Sequence, residues 1–352
     1  MAATDSGRIH MSGDWPAIRE KHRAFWTRGV AEHPLAGTKR TTAFTLGDYE
    51  FAVTDRPLTP KDVDIPRACA WAEALYRAGD GYLDGELVWG APPLPGIPWM
   101  EAILGCPIWV SKESGSLWAA PWLHNWDDIE QVFPLSSNPW FQTLLELTNA
   151  FVRQADGRYP VTQTLMRGPA DIIAALRGHE QICLDFYDNP AQVRNLAHRC
   201  TDAWIEVAEG QFRLLPPFDG GCTAPRLEVW APGQLVRFEE DATILFSRKV
   251  YRDFIRGCDQ RIAASFDYAL IHTHSADAKI IPDLLDIEEL PAIQILIDPG
   301  GPQVDELIPV FQQIQAAGKA LLITHELTEN DLAPVERALS PRGLALERMR
   351  SV

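Results

Sequence analysis

Apolar positions along the chain follow two rhythms. Near the start, Ile18, His22, Phe25 and Trp26 recur at helical spacing and predict a helix over 15–30. Residues 66–78 predict a second helix, with Pro66 in its first turn and Gly79 just past its end. Asn138-Pro139-Trp140 opens a third, which runs to about 155 and stops at Asp156-Gly157; residues 185–213 read as helical again, opened at Asp188-Asn189-Pro190. The second half has a different texture. Short apolar runs at 235–241, 268–272, 293–297 and 321–324 predict buried strands, and 344–346 a final short one. Helical stretches at 247–259, 278–285, 304–317 and 328–339 lie between them, so strand and helix alternate as they do in a parallel sheet. Residues 159–165 predict a further strand that carries Gln163 outward at its end, 41–51 has β-type composition, and the proline-rich 57–65 reads as a loop.

No Gly-x-Gly-x-x-Gly follows a strand, and no phosphate-binding Gly-x-x-x-x-Gly-Lys is present. A barrel of alternating strands and helices therefore fits better than a dinucleotide fold, and in such barrels the chemistry gathers where strands end. Three consecutive predicted strands run out into His272-Thr273-His274, into Asp298, and into His325-Glu326. The region 82–140 breaks the rhythm: it holds seven of the twelve tryptophans, with prolines between them. It predicts an irregular aromatic layer across one end of the barrel, where Trp89 could form a pocket wall.

Bulk composition narrows the function. The 352 residues are 46% hydrophobic, enough for a large core, and the net charge of −16 excludes a basic nucleic-acid-binding face. An acidic chain with no signal peptide and no apolar run of membrane-span length predicts a cytoplasmic protein. The six cysteines form no Cys-x-x-Cys pair and read as scattered thiols. Residues 1–14 are polar and predict a disordered lead to a single domain over 15–352.

Side chains alternate along a strand, so His272 and His274 share one face and can reach a single ion. The candidate metal ligands are His272, His274 and His325, with an oxygen from Asp241 or Glu326; such a nitrogen and oxygen shell suits zinc first, and also iron or nickel. Without a metal, one histidine is an acid/base and the other is structural. Asp241, closing the acidic run Glu239-Glu240-Asp241, and Glu326 are candidates for proton handling. Trp89, Gln163, Arg167 and Gln294 are candidates for substrate binding, Arg167 as a carboxylate clamp. Arg177 reads as a structural partner for an acid.

Several segments together resemble the uroporphyrinogen decarboxylase and corrinoid-dependent methyltransferase superfamily. They are Gly168-Pro169-Ala170-Asp171 through Leu176-Arg177-Gly178, with Asp185 and Pro190 downstream; Glu240-Asp241 before Phe246-Ser247; His272-Thr273-His274 after a strand; and Gly318-Lys319 before the last long strand. The resemblance covers roughly residues 135–345. It implies a (β/α)8 TIM barrel, here with an elaborated Trp-rich N-terminal region. It also implies methyl transfer to or from a small organic substrate, with a separate corrinoid protein as partner and no bound nucleotide. A homodimer is compatible with it. The methyltransferase branch carries His-x-Cys where this chain has His272-x-His274, and no cysteine follows Cys258. The Arg-rich signature of the decarboxylase is absent as well. Two alternatives stay open: a metal-free decarboxylase or lyase with His272 as general acid, and a non-catalytic small-molecule-binding protein.

Overall fold

The structure, a computed structural model, describes residues 14–40, 51–78 and 83–350. The expected lead up to residue 13 and most of the β-type stretch at 41–51 lie outside the described residues. The chain is a mixed α/β protein built on one central eight-stranded sheet. In chain order the strands are β1 (Leu35–Arg40), β2 (Leu83–Gly85), β3 (Met166–Arg167), β4 (Leu235–Glu239), β5 (Tyr268–His274), β6 (Ala292–Leu296), β7 (Ala320–His325) and β8 (Leu344–Arg350). Their spatial order is β2-β1-β8-β7-β6-β5-β4-β3, and every pair is parallel except β1 with β2. Strands β4 to β7 are buried almost throughout, as parallel strands covered on both faces must be.

Regular pairing stops at β2 and β3. Between these edges one isolated parallel bridge joins Ala91 to Val161, with Ala91 N–H donating to Pro160 O at 2.9 Å and Thr162 N–H to Ala91 O at 3.1 Å. The strand expected over 159–165 is therefore reduced to that bridge. Side chains hold this segment in place of a ladder: Thr164 N–H donates to Gln211 Oε1 at 2.8 Å, and its hydroxyl donates to Pro93 O at 2.6 Å. The helix expected over 185–213 is two helices, His179–Asp188 and Pro190–Phe212, because Pro190 cannot supply the N–H that would continue the first. The predicted helix starting near 139 forms as Pro139–Ala155. Asn138 caps it, accepting from the N–H groups of Trp140 at 3.0 Å and Phe141 at 3.1 Å.

β1 has no apolar signature, since its sequence is Leu-Ala-Gly-Thr-Lys-Arg. Its inward positions are Leu35, Gly37 and Lys39. Lys39 is buried and donates to Glu228 Oε2 at 2.6 Å, to Arg226 O at 2.6 Å and to Glu347 Oε1 on β8 at 2.7 Å. The ion cluster thus ties β1 to β8 where other strands use packing. Replacing Lys39 with Met should cost about 3–5 kcal/mol in urea unfolding, because two buried carboxyl groups lose their shared cation. Adding Glu228→Gln to that variant should recover part of the loss.

Candidate active site

Strand register builds the site. Glu239 on β4 stands opposite His272 on β5, which stands opposite Gln294 on β6. The three lie in one row on one face of the sheet, and all line a cavity of about 410 Å³. Two residues further on, His274 follows His272 out to the strand end. Asp241 comes from the turn after β4, and its position is set by the helix Pro169–Arg177. Asp171 in that helix's first turn accepts from the backbone N–H of Asp241 at 3.0 Å and of Ala242 at 2.7 Å. Glu240 turns the same way and accepts from Ala170 N–H at 2.8 Å. Gly168 permits this close approach, because a Cβ there would meet the Glu240 carboxylate at 2.2 Å.

Asp241, His272 and His274 offer one donor atom each, all within 4.8 Å of one another, and they are the single such group of three or more among the described residues. His272 Nε2 is 3.2 Å from His274 Nε2; Asp241 Oδ1 is 3.4 Å from His274 Nε2 and 3.9 Å from His272 Nε2. In a tetrahedral zinc site with bonds of about 2.0–2.1 Å, neighbouring ligand atoms stand roughly 3.4 Å apart. Three protein ligands of this kind leave one position open for water or substrate.

Both imidazoles are oriented from behind. His272 Nδ1 is hydrogen-bonded to Gln294 Oε1, and His274 Nδ1 to Asp298 Oδ1 at 2.6 Å. Asp298 is held in turn by the Ser275 hydroxyl and the Ala276 N–H, each at 3.2 Å. With oxygen acceptors at both Nδ1 atoms, the two Nε2 lone pairs face each other and the Asp241 carboxylate. Such an arrangement needs a cation between them, either a metal or a proton on one ring. In the metal-free protein the proton falls on His274. Its hydrogen bond to Asp241, with help from Asp298, raises its pKa to about 9 against its partial burial. Burial and then the nearby Arg237 guanidinium lower His272 to about 4. Burial pushes Asp241 upward, but the His274 hydrogen bond and the charges of His272 and His274 outweigh it and keep the group below the usual carboxylate range. His272 is thus a neutral imidazole at neutral pH and a poor general acid.

The 410 Å³ cavity reaches Asp241 and His272 from the sheet interior, and Trp99 and Leu117 of the Trp-rich region form part of its wall. A second cavity of about 300 Å³ is lined by Asp241, His274, Asp298 and Ile244. Asp241 lines both cavities, His272 the larger and His274 the smaller. Along the larger one runs a row of alternating charge. Glu101 Oε1 accepts from Arg167 Nη1 at 3.1 Å, Arg167 Nε is 3.8 Å from Glu239 Oε1, and Glu239 Oε2 accepts from Arg237 Nη1. Glu101, foremost among the surrounding acids, holds Arg167 more firmly protonated than usual.

Of the residues expected from sequence, the structure brings together Asp241, His272, His274, Gln294 and Arg167, with Asp298 behind His274. Four others are placed elsewhere. Thr324 lines the cavity, so strand alternation sends His325 to the opposite face, half-buried and away from the pair. Glu326 follows it and is exposed. Gln163 is buried and donates to Met166 Sδ at 3.3 Å instead of pointing to a mouth. Trp89 packs its ring 5.3 Å from that of Tyr159 and lies outside the cavity lining. Arg177 pairs with buried Asp185 at 2.8 Å. Sequence reading missed Glu101, which has no flanking pattern. It also missed Arg237, although an Arg and a Glu two apart in an apolar strand are a legible sign of an inward ion pair.

A family model described as uroporphyrinogen decarboxylase (URO-D) matches residues 96–214. Among solved structures, a methyltransferase from Methanosarcina mazei superposes with a TM-score of 0.63 at 12% identity, over 95% of this chain and 93% of that one. The family model spans about a third of the chain, and the likeness to the solved structure is one of fold. No curated protein sequence matches it. The matched span carries Glu101, Arg167 and Asp171, whereas Asp241, His272 and His274 lie beyond it. Among the described residues no helix is long and apolar enough to cross a membrane.

The proton inventory gives a direct test. At pH 7 His274 holds a proton, while His272 and Asp241 do not. Zinc uptake should therefore release about one proton at pH 7, and this release should fall toward zero as the pH rises through about 9. Calorimetry in buffers of different ionisation enthalpy reads the number directly.

Proposed function

We propose that this chain is a metal-assisted methyltransferase that acts on a small organic substrate, with a separate corrinoid protein as the other partner. The observation that carries it is the convergence of the Asp241, His272 and His274 donor atoms beside two cavities, both of which Asp241 lines. Group transfer needs a donor and an acceptor brought to one point from two directions, and this arrangement provides for both. A divalent ion held there, zinc by preference with iron or nickel also compatible, would supply Lewis acidity toward an oxygen or sulfur atom of the substrate. Gln294 and Asp298 fix the rings so that both Nε2 atoms converge. Asp241 supplies the negative charge and can take a proton from an entering thiol or hydroxyl. The chamber walls around Arg167 and Arg237 hold the organic substrate. Ile244 and Leu245, both about half-exposed, flank the smaller cavity and suit the approach of a protein partner.

The same proposal takes the sheet as a (β/α)8 barrel closed between β2 and β3 through the Ala91 bridge, with 15–352 as one domain working in the cytoplasm. A metal-free lyase with His272 as general acid is disfavoured by the low pKa of that ring.

Metal analysis of purified protein tests the proposal. Wild type should hold about one equivalent of zinc, iron or nickel, and His272→Ala and His274→Ala should each lose it. Asp298→Asn should weaken the affinity by about 10–100-fold, as removing an outer-shell partner does. Wild-type protein that takes up none of these ions and shows no thermal shift with them would contradict the proposal.

A further inference from the structure

The row Glu101–Arg167–Glu239–Arg237 has two unused ends. Glu101 is fully buried, and its Oε2 has no hydrogen-bond partner within the protein; its Oε1 is occupied by Arg167. Arg237 is 4% exposed, and its Nε–H likewise has no partner within the protein, while its Nη1 serves Glu239. Both residues line the same 410 Å³ cavity. A buried carboxylate oxygen and a buried guanidinium N–H are costly to leave unsatisfied, and such groups in a native cavity call for an occupant. The two lacks are opposite in sign: Glu101 needs a donor, and Arg237 needs an acceptor. The ends of an alternating row differ in charge by construction, so a ligand that joins them must carry a donor cation at one end and an acceptor anion at the other. Arg237 pairs with Glu239, which stands opposite His272 across β4 and β5, so the anionic end lies nearer the histidine pair and the cationic end against Glu101.

We propose that the chamber binds a compact zwitterion, an ammonium group on Glu101 Oε2 and a carboxylate on Arg237 Nε–H, as the organic substrate; this rests on the reading of the cavity as the substrate chamber. Polyanions are disfavoured there, because Glu101, Glu239, Asp241 and Glu347 offset the cations of the wall. Trp99 contributes an aromatic side chain to the lining of the same cavity.

The test is binding, not turnover. Calorimetry on the full chain, once zinc-loaded and once chelator-stripped, is run with ω-amino acids of increasing length, and with the alkylamines and alkyl carboxylates of matching length. Wild type should bind one or more ω-amino acids at least tenfold more tightly than either single-charge analogue. Glu101→Gln, which keeps an oxygen for Arg167, should remove the advantage over the carboxylates. Arg237→Lys should remove the advantage over the amines. Thermal unfolding of each variant confirms that it is folded, and metal content is measured on the same samples. Wild type that binds no ω-amino acid, or binds carboxylates equally well, overturns the proposal, as does a folded Glu101→Gln variant with unchanged discrimination. A zwitterion preference that survives in protein unable to hold metal supports the chamber assignment and counts against the metal-assisted mechanism alone.

Discussion

The mouth of the sheet depends on how two imidazole rings are turned. Because Gln294 and Asp298 occupy the Nδ1 sides of His272 and His274, both Nε2 atoms are directed at the Asp241 carboxylate and at each other. That convergence is unfavourable unless a cation stands between the lone pairs. Other features of the region serve it. The β4-β5-β6 register sets Gln294 beside His272, the loop after β6 returns Asp298 to His274, and Asp171 pins the backbone that carries Asp241. The Gly-Pro-Ala-Asp segment therefore has a positioning role: its glycine gives room, and its aspartate clamps the turn after β4.

Away from the donors, the interior of the sheet is unusually ionic for a buried surface. Lys39 with Glu228 and Glu347 joins β1 to β8, and the Glu101 to Arg237 row follows the chamber wall. The two groups behave differently. Lys39 is saturated by three acceptors and acts as a strut. The wall row ends in atoms with spare hydrogen-bonding capacity, as the proposed receptor for a ligand requires. Buried ions are stable only when compensated, so the pattern of compensation separates structural charges from those kept for a ligand.

How much was legible in sequence follows from what each residue type advertises. β4 to β7 announced themselves because strands covered on both faces are continuous apolar runs. β1 did not, because its inward positions after Leu35 are a glycine and a lysine, and the burial of that lysine depends on partners about 190 and 310 residues away. His272 and His274 could be paired from their i, i+2 spacing, and Asp241 from its place after a strand. His325 ends its strand one residue after the inward Thr324, and a single step along a pleat reverses the face, a parity that the sequence alone does not display. The direction of Gln163 was not legible, because its segment is held by side chains and one bridge, not by a ladder. Glu101 sits in the five-residue helix Trp99–Ile103, which has no period long enough to read.

The proposed metal shell consists of the His272 and His274 imidazoles and the Asp241 carboxylate, with no thiolate. X-ray absorption at the zinc edge of the loaded protein tests that most directly. The account predicts a shell of nitrogen and oxygen only, at about 2.0–2.1 Å, with the outer-shell scattering of two imidazole rings. A sulfur scatterer at about 2.3 Å, or a shell without imidazole, would contradict it.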